Sequence, residues 1–222
     1  MTSQMHPREL RRLFRDGELV RPTAGLAEGY VQANLVMLPR DLAFDFLLFC
    51  QRNPKPCPVL EVLEPGQYEP RQTAPGADVR RDAPLYRIFR NGVLAGEEQD
   101  MTRLWQEDMV TFLLGCSFTF ESALTKAGIP LRHVEQGRNV SMYRTNVPTT
   151  PAGAFHGPLV VSMRPIAHKD LVVAVEVTAR YPKVHGAPVY MGDPQGLGIR
   201  DLSKPDYGDP VDVRPGEVPV FW

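Results

Sequence analysis

The sequence predicts a mixed α/β fold, with a layered α/β body and a smaller α+β subdomain. Three observations predict it. Strand-type and helix-type apolar segments alternate over residues 30–63, the pattern of α/β layering. Gly115-Cys116-Ser117 joins one apolar run to a second segment of helical period. Valine-rich stretches at 158–164 and 171–181 read as a strand pair.

Taken in order, residues 6–16 place Leu10, Leu13 and Phe14 at helical spacing. Arg8, Arg11, Arg12 and Arg15 fall on other faces, as in an amphipathic surface helix. Residues 30–38 read as a strand ending at Pro39. Asp41 then caps an apolar helix over 42–50, which Pro54, Pro56 and Pro58 close. Residues 59–63 form a short buried-type strand, and 64–84 a long loop rich in Pro, Gly and charge. A strand at 86–89 precedes a turn at Asn91-Gly92, and Thr102 begins a helix that runs toward Gly115. Gly inside a helix costs about 1 kcal/mol against Ala, so Gly115 marks a break. The break puts Ser117 or Thr119 at the N-cap of a helix running through Leu124 toward Gly128. Residues 182–217 are loop-dominated. The apolar, strand-like end at 218–222 is unusual for a terminus, so the natural polypeptide is expected to continue beyond Trp222. The expected division is a body over 1–137, a smaller α+β part over 138–215, and a strand at 216–222 returning to the body.

Composition bounds the function. The 222 residues are 43% hydrophobic and 23% charged, as in an ordinary soluble domain. A formal net charge of -1 offers no electrostatic reason to expect nucleic acid or an anionic membrane. No apolar run approaches the roughly 20 residues of a membrane span. The polar, Arg-rich first 17 residues lack the apolar core of a secretory signal. Three cysteines, Cys50, Cys57 and Cys116, fit reduced thiols in a cytoplasm better than a disulfide scaffold. No Cys/His spacing matches a zinc site. The expected partner is a small molecule, with a homo-oligomer left open.

Gly115-Cys116-Ser117 carries the strongest chemical signal. A helix N-terminus stabilises negative charge and lowers a thiol pKa, so Cys116 or Ser117 could act on substrate in an oxyanion pocket. An unpaired Cys at a tight packing contact fits the same residues. Glu121, four residues after Ser117, could be a general acid or base; alone, such a residue is more often a first-turn glutamate favoured by the helix dipole. Asn139, Tyr143, Arg144, Asn146 and Arg164 supply donors suited to a carboxylate, which Arg can bind through two parallel N–H bonds. His185 and Asp193 fall in one Gly- and Pro-rich loop, where Asp193 could orient His185 or cap the following turn. No clear cation ligand set stands out.

Several strings resemble one family along nearly the whole chain, in order. They are Gly-Tyr-Val-Gln-Ala-Asn-Leu (29–35), Asp-Phe-Leu-Leu-Phe-Cys-Gln-Arg-Asn-Pro-Lys-Pro-Cys-Pro (45–58), Ala-Pro-Gly-Ala-Asp (74–78) and the 112–121 run. Tyr-Arg-Thr-Asn (143–146), Val-Ser-Met-Arg-Pro (161–165), His-Gly-Ala-Pro (185–188), Gly-Asp-Pro (192–194) and Pro-Gly-Glu-Val-Pro-Val-Phe-Trp (215–222) complete the set. The chain resembles the bacterial "putative hydro-lyase" family, related to mitochondrial D-glutamate cyclase. Members usually continue past the Phe-Trp pair, and Tyr190 stands where many relatives carry His.

The resemblance implies a hydro-lyase of amino-acid metabolism that converts D-glutamate to 5-oxo-D-proline and water, or a related small-carboxylate lyase. Such a reaction needs a cationic clamp, for which Arg144 or Arg164 is available. It needs a base, for which Glu121 serves if burial raises its pKa. It needs oxyanion donors, which the amides after Gly115 and Ser117 could supply. A covalent route through Cys116 is conceivable, and a divalent metal could replace the acid. A non-catalytic small-carboxylate binding protein would use the same pocket without turnover. A cysteine amidase or acyltransferase would need His133, His156 or His185 beside Cys116.

Overall fold

The computed structural model describes residues 2–222 and shows a mixed α/β fold. Its contacts define two units: unit 1 holds residues up to Ala43 and Leu60–Leu114, and unit 2 holds Phe44–Val59 and Gly115–Trp222.

In unit 1, helix α1 (Pro7–Arg15) begins with Pro at its first position, where no donor is needed, and the His6 side chain accepts from Arg8 N–H at 3.2 Å. Leu10 and Phe14, one turn apart, are buried with Leu26 and Ala27. A three-stranded sheet has the order β1 (Ala33–Pro39), β5 (Met109–Gly115), β2 (Val59–Val62). Leu63, Val79 and Leu113 form its core. The loop at 64–84 is ordered by specific bonds. The buried Glu61 carboxylate accepts from Gln72 N, Thr73 N and Thr73 Oγ1. Tyr86 Oη donates to Val79 O at 2.7 Å. Asp82 takes Arg15 through bonds of 2.8 and 2.9 Å. Strands β3 (Tyr86–Arg90) and β4 (Val93–Glu98) form a hairpin across Asn91 and Gly92, both at positive φ, the geometry for which Asn-Gly is favoured.

The helix expected from Thr102 is not formed; residues 109–115 are strand β5, central in its sheet. A strand buried on both faces carries a continuous apolar run, which periodicity cannot tell from a buried helix.

Helix α2 (Arg40–Arg52) carries the chain from unit 1 into unit 2. Unit 2 is built on an antiparallel sheet of order β6 (Ser141–Pro148), β7 (Pro158–Ala167), β9 (Glu217–Phe221), β8 (Tyr190–Met191). Side chains alternate across it. Tyr143, Val161, Met163 and Phe221 pack on one face with Leu197, Ile199 and Val211. Ile166, Val220 and Trp222 pack on the other with Phe120 and Leu124 of α3 (Phe118–Lys126) and Ala174 of α5 (Leu171–Ala179). A four-residue helix, α4 (Arg132–Glu135), follows α3.

Residues 171–179 are therefore helical, against the expected strand. Ala174 and Thr178, one turn apart, are both fully buried; Thr178 Oγ1 donates to Ala174 O and accepts from Trp222 Nε1. A weak β-preference of the valines yields to this packing. The expected boundary near 137 lies inside unit 2, because Phe120 and Leu124 share a core with Ile166 and Val220. The final strand pairs with β7 and β8 in unit 2, rather than with the 1–137 body. Among the described residues no helix is long and apolar enough to cross a membrane.

Candidate active site

The site is assembled where β5 ends. Gly115 N–H donates to Pro58 O at 2.8 Å. A Cβ at Gly115 would collide with the Lys183 carbonyl oxygen and lie 2.8 Å from Val184 Cγ1, so only glycine admits the 182–187 loop here. Gly115→Ala should lower the denaturation midpoint by the equivalent of about 1–3 kcal/mol, the usual cost of overpacking. An unchanged midpoint would refute the close approach.

Ser117 is the N-cap of α3, and Thr119 lies within the helix. The Ser117 hydroxyl makes no capping bond; it accepts from Arg164 Nη2 at 3.1 Å. Cys116, half-buried, immediately precedes this cap. The turn is tight: Thr119 N–H donates to Cys116 O at 3.1 Å and Phe120 N–H to Ser117 O at 3.3 Å, and the positive end of the α3 dipole lies at this turn.

Beneath the turn lies a buried ionic cluster. Arg164, on β7, is 0% exposed, and Glu121, in the first turn of α3, is 3% exposed. Arg164 donates to Glu121 Oε1 from Nε at 3.0 Å and from Nη2 at 2.6 Å, and to Ser162 Oγ from Nη1 at 3.0 Å. Its guanidinium lies 5.2 Å from the Phe120 ring centre and 5.5 Å from that of Trp222, which adds cation–π attraction. His133 Nε2 stands 3.0 Å from Glu121 Oε1, at ion-pair distance but without the alignment of a good hydrogen bond. Among the described residues Glu121 Oε2 has no hydrogen-bond partner.

Burial alone would push the Glu121 carboxyl up. The charge of Arg164 and the His133 contact outweigh it, and the net shift is downward. The condition for Glu121 as base, a raised pKa, is thus not met. Nor does Arg164 offer an open clamp, since all three guanidinium nitrogens already donate.

His185 has the properties of a base. It sits at φ +82°, a conformation unusual for a residue with a Cβ. Its Nδ1 lies 3.0 Å from Lys55 O. A carbonyl only accepts, so this bond assigns the proton to Nδ1 and leaves the Nε2 lone pair on the neutral ring. Burial pushes the imidazole pKa below 6.5, and the positive charges of Arg164 and Lys55 add to this. Hydrogen bonding to the backbone of Lys55 and Gly115 opposes it only in part.

The structure therefore brings Gly115, Cys116, Ser117, Glu121, Arg164 and His185 to one region of unit 2. The other expected residues are engaged elsewhere. Asn139 N donates to Asp209 Oδ2 at 2.8 Å. Tyr143, on the opposite face of the sheet, donates to Leu202 O at 2.7 Å. Exposed Arg144 donates to Tyr207 Oη, and exposed Asn146 lies against Gly198. Asp193 caps the turn after it by accepting from Gln195 N at 3.0 Å, so the Lys55 carbonyl, not Asp193, orients His185. Lys55 is the residue that sequence reasoning missed. Its one signal was its place between Pro54 and Pro56, where the chain lacks N–H groups and is held in a restricted path. Among the described residues no three His, Cys, Asp or Glu side chains converge as metal ligands.

A family model described as D-glutamate cyclase matches residues 110–222, which include every residue of this site except Lys55. A Geobacillus kaustophilus protein named "Putative hydro-lyase" is 62% identical over 98% of this chain and 83% of its own. A Bacillus subtilis protein of the same name is 58% identical over 98% of this chain and 85% of its own. A solved nitrogen repressor-like protein from Methanococcus jannaschii, covering 96% of this chain and 81% of that one, reaches a TM-score of 0.39 at 10% identity, too low to bear on fold or function.

Proposed function

Since the chain belongs to the D-glutamate cyclase family, to which bacterial proteins named as hydro-lyases are its relatives, we propose that it is a lyase acting on a small carboxylate, with D-glutamate as the leading substrate. The observation that carries this reading is the buried, neutral His185 ring, its Nδ1 held by Lys55 O, in the same region as the turn that opens α3.

Cyclisation forms a bond between the α-nitrogen and the γ-carboxyl carbon and breaks a C–O bond. The substrate ammonium loses two protons, and the departing oxygen leaves with them as water. Unprotonated His185 Nε2 takes the two protons from the nitrogen in turn, one before attack and one after, and returns each to that oxygen. The oxyanion formed in between is stabilised by the amides following Cys116. Ser117 Oγ accepts from Arg164, which leaves its own O–H to donate toward the same oxygen. Glu121 stays ionised and keeps Arg164 and hence Ser117 in place. Holding amine and carboxyl in attack geometry supplies much of the rate, up to about 7–11 kcal/mol in well-oriented intramolecular reactions.

NMR of the protein with D-glutamate, L-glutamate and 5-oxo-D-proline, with and without a divalent cation, tests the reading. Stereoselective formation or hydrolysis of 5-oxoproline is expected. Selective line broadening by one acid without turnover would instead make this a carboxylate-binding protein. The route needs no thiol, so Cys116→Ala should keep near-wild-type turnover; loss of turnover in a folded Cys116→Ala protein would point to a covalent intermediate.

A further inference from the structure

With both expected arginines engaged, the site as described has no cation open to an anionic substrate, and one residue nearby supplies it. We infer that Lys55 binds the α-carboxylate of the substrate, so that the corner formed by Lys55, His185 and the Gly115–Ser117 turn selects an α-amino acid anion. This rests on the lyase reading of the same site and names the group that its substrate must carry.

Lys55 is firmly placed. Just past α2, Asn53 Nδ2 donates to Phe49 O and Thr150 O, both at 2.8 Å, and Thr150 N donates to Asn53 Oδ1 at 2.8 Å. Cys57 N–H donates back to Asn53 O at 3.0 Å, closing the turn around Lys55. From this turn Lys55 grips the 185–187 segment twice. Its carbonyl accepts from His185 Nδ1, and its ammonium donates to Ala187 O at 2.6 Å. The Cβ position of Gly186 lies 3.9 Å from Nζ, so the ammonium sits at contact distance from this loop.

The charge of Lys55 is unanswered. Among the described residues no carboxylate pairs with it; its partner is the neutral Ala187 carbonyl, which uses one of three N–H groups. Partial burial pushes the Lys55 pKa down, and no acid offsets the shift. Around His185 the leading charges are likewise cationic, those of Arg164 and Lys55. Arg164 is neutralised by Glu121, and Lys55 is not. A net-negative chain that leaves a partly desolvated cation beside a neutral base has an anion-binding corner there, and Lys55 is exposed enough for a ligand to reach. The order of groups also fits. An α-amino acid carries its carboxylate one bond from the carbon that bears the amine, and Lys55 lies next to the ring that would deprotonate that amine.

The test compares 5-oxo-D-proline, whose free carboxylate is the former α-carboxylate, with its uncharged amide. Both are titrated by NMR into the wild type and into the Lys55→Met, Lys55→Arg and Lys204→Met variants. Wild type and Lys204→Met should prefer the acid by about ten- to a hundred-fold, the worth of a hydrogen bond to a charged group. Lys55→Met should lose the preference, and Lys55→Arg should keep most of it. A residue that only braced Ala187 would weaken both ligands alike and leave the preference intact. An undiminished preference in Lys55→Met, or no binding of either ligand to wild type, overturns the inference. Acid preference without turnover of D-glutamate would leave the anion site standing and remove the lyase reading. Turnover with a preference independent of Lys55 would do the reverse.

Discussion

His185→Gln is expected to lower kcat/KM for 5-oxoproline formation by about 10²–10⁴-fold, the usual contribution of a positioned general base. Glutamine keeps a donor for the Lys55 carbonyl and so preserves much of the 185–187 loop, while removing the Nε2 lone pair. The pH dependence makes the assignment specific. The base must be unprotonated, and its pKa is pushed below 6.5 by burial and by the nearby charges of Arg164 and Lys55. The wild-type rate should therefore hold as pH falls to about 6.5 and decline only below it, as the ring takes up its proton. In His185→Gln that acid limb should vanish from whatever activity is left. Wild-type turnover in the variant, or an acid limb that survives the substitution, would remove His185 from the role.

Glu121→Ala is expected to cost about 3–5 kcal/mol of stability, because it leaves the fully buried Arg164 guanidinium without its carboxylate. Domains hold roughly 5–15 kcal/mol in all, so the loss should show as a large drop in the denaturant midpoint. The double variant Glu121→Leu, Arg164→Met should be less destabilised than Glu121→Ala alone, since it buries no unpaired charge. Acid should mimic the single variant. The Glu121 pKa is lowered in the folded state, so near and below its ordinary value of 4.5 the unfolded chain binds the proton more readily. The stability that the pair contributes is present above that value and lost as pH falls through the lower folded one. A midpoint in Glu121→Ala close to wild type would show that the cluster is not what holds α3 to the sheet.

Much of the fold was legible where a local signal matched the final environment. Leu10 and Phe14 read as the buried stripe of a surface helix and are one. Asn91-Gly92 read as a turn and closes a hairpin. Reading failed where tertiary packing overrode or masked the local signal. The 109–115 run is apolar on both faces because it is a central strand, and a one-dimensional pattern does not show which element surrounds it. The valines of α5 favour a strand, yet the small, fully buried positions 174 and 178 decide for a helix.

The site divides along the same line. The sequence by itself determined that a glycine-bounded turn with Cys116 and Ser117 opens a helix, and that Glu121 lies in its first turn, because caps, breaks and first-turn acids are short-range features. The family resemblance too was carried by the order of residues alone. Only the tertiary structure decided that Glu121 spends its charge on Arg164, 43 positions away, and that His185 takes its proton orientation from a carbonyl 130 positions earlier. Whether a carboxylate is a base or a buried counter-ion depends on the charge and burial around it, and those are set by segments that meet only when the chain folds.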